Sequence, residues 1–169
     1  VGDTVPKFTC RDDQGNIWKS SDHVGKSPLV IYFYTSDFAR CCTQQACGYR
    51  DDHDALAEQR VRIIGISGDT VASHQLFKQA SKLNYTLLSD TNGQVAQLFG
   101  VPLRAGGKAM AVDKNGQAIA IPRNFTPARW TFIIGADGRV LYRDVQAAPK
   151  EDSRVVLEFI RRHNDSQKQ

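Results

Sequence analysis

The chain has 169 residues, 41% hydrophobic and 24% charged, the profile of an ordinary globular protein long enough to bury a real core. Its net charge of +4 comes from 22 basic and 18 acidic residues mixed along the chain; the one basic cluster, Arg161-Arg162-His163, reads as a solvated helix end rather than a nucleic-acid patch. No apolar run approaches the roughly 20 residues that span a bilayer, so no transmembrane helix is expected.

The elements follow in chain order. Phe8-Thr9-Cys10 and Ile17-Trp18-Lys19 flank Asp12 to Asn16, the signature of an N-terminal β-hairpin. Leu29 to Tyr34 is a continuous run of β-branched and aromatic residues, as in a strand covered on both faces. From Cys41 to Gln59 the pattern turns helical, with Ala46, Tyr49, His53 and Leu56 at three- and four-residue spacings. Val61 to Ser67 is a second buried strand. Asp69 or Thr70 caps a helix whose apolar face is Leu76, Phe77, Ala80 and Leu83. Thr86 to Leu88 is a short strand, and Val95 to Phe99 a short helix stopped by Gly100 and Pro102.

Residues 103–127 are less regular, with a small hairpin at Met110 to Val112 and Ala118 to Ala120. Trp130 to Ile134 and Val140 to Tyr142 form a last hairpin, and Val155, Val156, Phe159 and Ile160 mark a closing helix with a frayed end from Asn164. Strands alternating with helices and ending in an antiparallel pair predict an α/β fold: a mixed central sheet with helices on both faces. With no internal repeat or linker, residues 1–169 read as one domain. The chain opens Val-Gly-Asp without Met, so removal of a leader or signal peptide is left open. The compartment stays open with it: cytoplasmic, or periplasmic if a signal peptide preceded Val1.

Four cysteines are too few for a disulfide scaffold of this length. Three of them, Cys41, Cys42 and Cys47, fall where the first buried strand runs into a helix. Cys-Cys-x4-Cys is not a zinc spacing, and no metal site is expected. A helix N-terminus offers free N–H groups and a positive dipole end, which favour an anion, and the thiolate is the nucleophilic form of cysteine. Arg40 adds a positive charge nearby. Cys47, five residues past Cys42, cannot bridge it while the helix stands, but the pair can close if the turn unwinds. A nucleophilic and a second thiol that meet after local unfolding suit a peroxide-reducing cycle through a sulfenic acid. Cys10, in a strand, reads as a buried small hydrophobe. His23 and His74 read as caps or surface residues, and Asp51 to Asp54 as a solvated helix face.

Several stretches, in order, are similar to one family: "VGDTVPKFTCRDDQGN", "GKSPLVIYFY" running into Asp37, "CTQQACGYRDD", "IIGISGDTVASHQLFKQ", "LLSDTNGQVAQLFGV" and "RWTFIIGADGRV". The chain resembles a peroxiredoxin of the alkyl hydroperoxide reductase/thiol-specific antioxidant superfamily, in the PrxQ or bacterioferritin comigratory protein subgroup. That resemblance implies a thioredoxin-like fold and reduction of hydrogen peroxide or organic hydroperoxides without a metal or organic cofactor. It also implies recycling by thioredoxin or a similar dithiol, and it favours a monomer while allowing a dimer. By position, Cys42 is the implied peroxidatic nucleophile and Cys47 the resolving thiol. Arg129 is the arginine that holds thiolate and peroxide.

The family's Pro-x-x-x-Thr-x-x-Cys is degenerate here. Thr35 stands at the proline position, Ala39 at the threonine position, and Arg40-Cys41 before the nucleophile. The missing threonine hydroxyl is the consequential loss. A hydrogen bond to a charged group is worth about 1.5–3 kcal/mol, so losing it from the transition state slows reaction by roughly 10- to 100-fold. Thr35 and Ser36 are candidate substitutes, and Cys41 a candidate extra thiol. Three readings follow: a two-cysteine peroxidase, slow if Ala39 is uncompensated; a peroxiredoxin-fold sensor or binding protein that has lost efficient catalysis; and a thioredoxin-type oxidoreductase, disfavoured because no two cysteines are separated by two residues.

Overall fold

The computed structural model describes residues 1–169. The N-terminal hairpin is β1 (Thr9–Asp12) and β2 (Ile17–Lys19), followed by a single 3-10 turn at Ser20–Asp22. The buried run is β3 (Leu29–Phe33). Then come α1 (Arg40–Asp51), α2 (His53–Glu58), β4 (Arg62–Ser67), α3 (Val71–Ser81), β5 (Thr86–Ser89) and α4 (Gln94–Leu98). The chain continues through β6 (Leu103–Val112), β7 (Ala118–Pro127), β8 (Trp130–Ile134) and β9 (Val140–Asp144) to α5 (Asp152–Ser166). Seven strands form one mixed sheet in the order β2-β1-β5-β4-β3-β8-β9, while β6 and β7 pair only with each other. β3, β4 and β5 run parallel, and the remaining neighbours are antiparallel.

β3 lies at the heart of this sheet, and its period of two divides the core. Val30, Tyr32 and Tyr34 face the side covered by α1, α2, α3 and α5, where they meet Tyr49, Leu56, Phe77 and Val156. Leu29, Ile31 and Phe33 face the other side, with Phe8, Trp18, Val95 and Phe132. The expected mixed sheet, with helices on both faces and an N-terminal hairpin, is borne out.

Five local expectations are corrected. The helix read from Cys41 to Gln59 is two helices, broken at Asp52. Aspartate is a poor interior helix residue, and Asp52 accepts a hydrogen bond at 2.7 Å from Ser153 at the start of α5. The small hairpin at 110–120 is a pair of ten-residue strands. A Cβ at Gly106 would sit 1.9 Å from the Arg123 carbonyl oxygen, so glycine is what allows the strands to close there. The buried face of α3 is Ser73, His74 and Phe77, with Leu76 and Ala80 left toward the surface. His74 is thus a fully buried side chain, not a cap or surface residue. The expected frayed end is half helix, since α5 runs to Ser166.

The β6–β7 arm lies along α3, burying Ala109 and Ala111 completely. It also touches the sheet at Gly68, just past β4, where an added Cβ would meet the Phe125 carbonyl oxygen at 2.2 Å. Gly68→Ala is expected to push this arm off the sheet and lower the unfolding free energy by about 1–3 kcal/mol, as overpacking does. Urea denaturation checks it.

Candidate active site

The sheet places the site. β3 ends at Phe33, and Tyr34 to Ala39 carry the chain from its C-terminal end into α1. Phe33 pairs with Trp130, so the antiparallel β8 brings Arg129 to the same end. Phe38 takes a left-handed conformation (φ 63°), which costs a side-chain-bearing residue energy, and packs its ring on Phe77 at 5.3 Å between centroids. Strain of this kind persists only where the surroundings fix it, and here they do.

Asp37 is the anchor of the loop. Its backbone N–H donates to Asp69 at 2.7 Å. Its carboxylate accepts from Tyr34 Oη at 2.6 Å, Ser73 Oγ at 2.8 Å and His74 Nδ1 at 2.7 Å. Ser36 Oγ donates to the Asp37 carbonyl at 2.9 Å and accepts from Arg123 on β7 at 3.0 Å. Arg123 lies 3.9 Å from Asp69 Oδ1, which has no hydrogen-bond partner of its own. The other nitrogen of His74 faces the Leu88 carbonyl at 3.0 Å. Both imidazole nitrogens therefore face acceptors, which only the doubly protonated ring satisfies. Burial opposes that charge, but Asp37, its hydrogen bond, Asp69 and the Leu88 carbonyl outweigh burial and raise the His74 pKa. Asp69 is raised as well, by burial first and by Asp37 second.

Cys42 sits on the inner face of α1, 1% exposed. Two groups reach its sulfur: Arg129 Nη2 donates at 3.3 Å, and Thr35 Oγ1 lies at 3.1 Å. A second nitrogen of Arg129 donates to Gln45, one turn along α1 from Cys42. Gln45 Nε2 in turn donates to Asp152 at the start of α5, at 2.8 Å. Asp152 also accepts from Tyr49 and Thr131, each at 2.8 Å. Burial raises its pKa, against the pull of these three donors. Beneath α1, Tyr32 and Tyr85 share a hydrogen bond at 2.8 Å, and Tyr85 donates to the Ala46 carbonyl at 2.9 Å. Burial raises the phenol pKa of both.

The sequence-predicted residues divide cleanly. Cys42, Arg129 and Thr35 are brought together. Cys47 is partly exposed on the same intact helix, and all four cysteines are free. Arg40 and Cys41 are exposed, and neither makes a side-chain hydrogen bond or ion pair, so the cation at Cys42 is Arg129 alone. Ser36 is turned to Arg123 and the Asp37 carbonyl. Ala39 is the N-cap of α1, with no side-chain cap bond. Cys10 is buried with its sulfur donating to the Ser89 carbonyl at 3.1 Å, and burial chiefly pushes its pKa up to about 12, as befits a packing residue. Sequence reasoning missed Gln45, Asp152, and the Asp37–His74 pair. Gln45 was legible in principle, three residues after Cys42 on one helix face. Asp152 lies over a hundred residues away, and only the fold reveals it.

Comparison with known proteins gives one consistent answer. The model of the AhpC/TSA family matches residues 1–143. Chloroplastic peroxiredoxin Q of Oryza sativa subsp. japonica is 40% identical over 134 residues, covering 76% of this chain and 61% of that protein. The chain therefore spans about three-fifths of the length of that relative. A putative peroxiredoxin bcp of Coxiella burnetii is 38% identical over 117 residues, 68% of this chain and 77% of that one. Among solved structures, peroxidoxin BcpB of Mycobacterium tuberculosis superposes with a TM-score of 0.77 at 30% identity over 95% of each chain.

The His74 charge sets a pH dependence. Because its folded pKa is raised above the unfolded value, its stabilisation is complete below about pH 6.5 and is lost as pH rises through the folded value. Unfolding free energy is expected to fall over that window by at most about 1.4 kcal/mol per pH unit. His74→Gln is expected to flatten the slope in urea titrations between pH 6 and 9.

Proposed function

The chain belongs to the AhpC/TSA family, in its peroxiredoxin Q/BCP branch, and on that premise we propose that it is a thiol-dependent peroxidase with Cys42 as nucleophile, Cys47 as resolving thiol and Arg129 as the catalytic cation. The observation that carries this reading is the Arg129 guanidinium donating to the buried Cys42 sulfur.

The chemistry follows from that arrangement. The Cys42 thiolate forms an S–O bond to one peroxide oxygen while the O–O bond breaks. Sulfur is oxidised by two electrons to a sulfenic acid. The departing oxygen is reduced and takes a proton, leaving as water from hydrogen peroxide or as an alcohol from an organic hydroperoxide. Negative charge moves from sulfur toward the oxygens. A fixed guanidinium beside that path, held on its other side by Gln45, needs no reorganisation to meet it. Cys47 then attacks the Cys42 sulfur, the S–O bond breaks, water leaves, and a disulfide closes. An external dithiol returns both sulfurs to thiols and is itself oxidised to a disulfide; thioredoxin or a protein like it suits this role, acting on the chain as a monomer.

Steady-state peroxide consumption with a dithiol reductant tests the reading. Cys42→Ser is expected to abolish turnover. Cys47→Ser is expected to consume about one equivalent and stall at the sulfenic acid, trapped by dimedone and read by mass. Arg129→Gln is expected to slow the first step by about 100-fold or more, the scale of losing one preorganised charge-stabilising donor. Unchanged consumption by Cys42→Ser would defeat the assignment.

A further inference from the structure

Position 39, where the family's motif has threonine, is alanine, so the helix that carries Cys42 begins without a hydroxyl. Four residues earlier, where the motif has proline, the chain has Thr35, and its Oγ1 lies 3.1 Å from the Cys42 sulfur. We propose that Thr35 is a catalytic residue of this chain: its hydroxyl has taken over, from a different backbone position, the hydrogen bond to the reacting sulfur that Ala39 cannot make. This assignment rests on Cys42 being the nucleophile.

Three features support it. The Thr35 hydroxyl has no hydrogen-bond partner other than Cys42, so it neither caps a helix nor ties down the loop. The neighbouring hydroxyl, Ser36, is already committed to the Asp37 carbonyl and to Arg123 and is not free for the role. Thr35 is also held in place by its neighbours in sequence. Tyr34 and Asp37 are locked into the buried network behind the loop, and the Tyr34 N–H is bound to the Ile66 carbonyl at 3.0 Å. A proline at this position would have no hydroxyl to offer, so the two departures from the motif are complementary.

The chemistry is specific. A thiolate has no proton to give, so in the reactive form the hydroxyl is the donor and sulfur the acceptor. Thr35 and Arg129 then supply two donors to one sulfur, and they constrain where its remaining lone pairs point. When the S–O bond forms and the O–O bond breaks, the transferred oxygen is attached to the atom that both donors already touch. The leaving oxygen carries the electron pair away and takes a proton from solvent. The hydroxyl is not consumed; it orients the sulfur and stays beside the charge as it moves.

Rapid mixing of reduced Thr35→Val and Thr35→Ser proteins with excess hydrogen peroxide tests this, reading the rate of Cys42 sulfenic acid formation in the Cys47→Ser background. Valine keeps the shape and removes the hydroxyl, whereas serine keeps the hydroxyl. The valine variant is expected to react roughly 10- to 100-fold more slowly, the effect of one hydrogen bond to a charged group, and serine to stay within a few-fold of the parent. Adding Ala39→Thr to the valine variant is expected to recover most of the rate by returning a hydroxyl at the helix N-cap. A valine variant as fast as the parent, or a serine variant as slow as valine, would overturn the assignment. If the parent itself forms no sulfenic acid at Cys42, the peroxidase reading falls first and Thr35 with it, an outcome distinct from a parent that reacts and a valine variant that keeps pace.

Discussion

A disulfide needs its Cα atoms within roughly 7 Å and its side chains turned toward each other. Two residues five apart on an intact α-helix are about 8–9 Å apart and point some 140° away from one another. Cys42 and Cys47 are such a pair, and the rest of the structure answers to that constraint. The helix stands where Cys42 meets Arg129 and Thr35, and in the proposed cycle it must open for Cys47 to reach the oxidised sulfur. The two demands fall on different ends of α1. Its middle and C-terminal end are clamped to α5, through Gln45 and Tyr49 on Asp152 and through Asp52 on Ser153. Its N-terminus starts at Ala39 without a side-chain cap, a bond worth about 1 kcal/mol. The end that carries Cys42 is held through the Cys42 sulfur itself, with no side-chain cap on the helix start.

Charge burial explains why the loop before α1 does not need that cap to stay in place. Asp37, Asp69, His74 and Arg123 bring two carboxylates and two cations together behind it, drawn from the loop, from the turn after β4, from α3 and from β7. Each charge alone would be costly to bury, and each is offset by an opposite partner and by hydrogen bonds. The same logic operates at Asp152, where three donors meet one carboxylate oxygen. Through Gln45, that buried carboxylate fixes the guanidinium that touches Cys42. The Cys42 sulfur is thus positioned from α5 on one side and from the β6–β7 arm, through Arg123 and Ser36, on the other.

Much of this was legible in the sequence, and for physical reasons. β3 is buried on both faces, so Leu29 to Phe33 reads as one apolar run. The strand-to-helix junction and the cysteine spacing are carried by short local patterns, and Arg129 by the resemblance of its stretch to the family. The parts that were not legible depend on distance. His74 looked like a surface residue because the apolar neighbours Leu76 and Ala80 drew the face of α3 the wrong way; its true partners are a loop carboxylate and a strand carbonyl. Residues 103–127 looked irregular, yet they form the two-stranded arm, which holds Gly106, Gly107 and Pro122 within its strands. The significance of Thr35 also depended on geometry. The sequence offered Thr35 and Ser36 alike as substitute hydroxyls, and the 3.1 Å contact to Cys42 is what singles out Thr35 for the proposed role.

The most direct test of the account is hydrogen exchange across residues 40–51, read by mass spectrometry before and after one equivalent of hydrogen peroxide, with disulfide mapping on the same samples. The account predicts protected α1 amides in the reduced protein. After peroxide it predicts a Cys42–Cys47 disulfide and loss of protection across the segment between them. An oxidised product centred on Cys41, or a Cys42–Cys47 disulfide with α1 as protected as before, would contradict it.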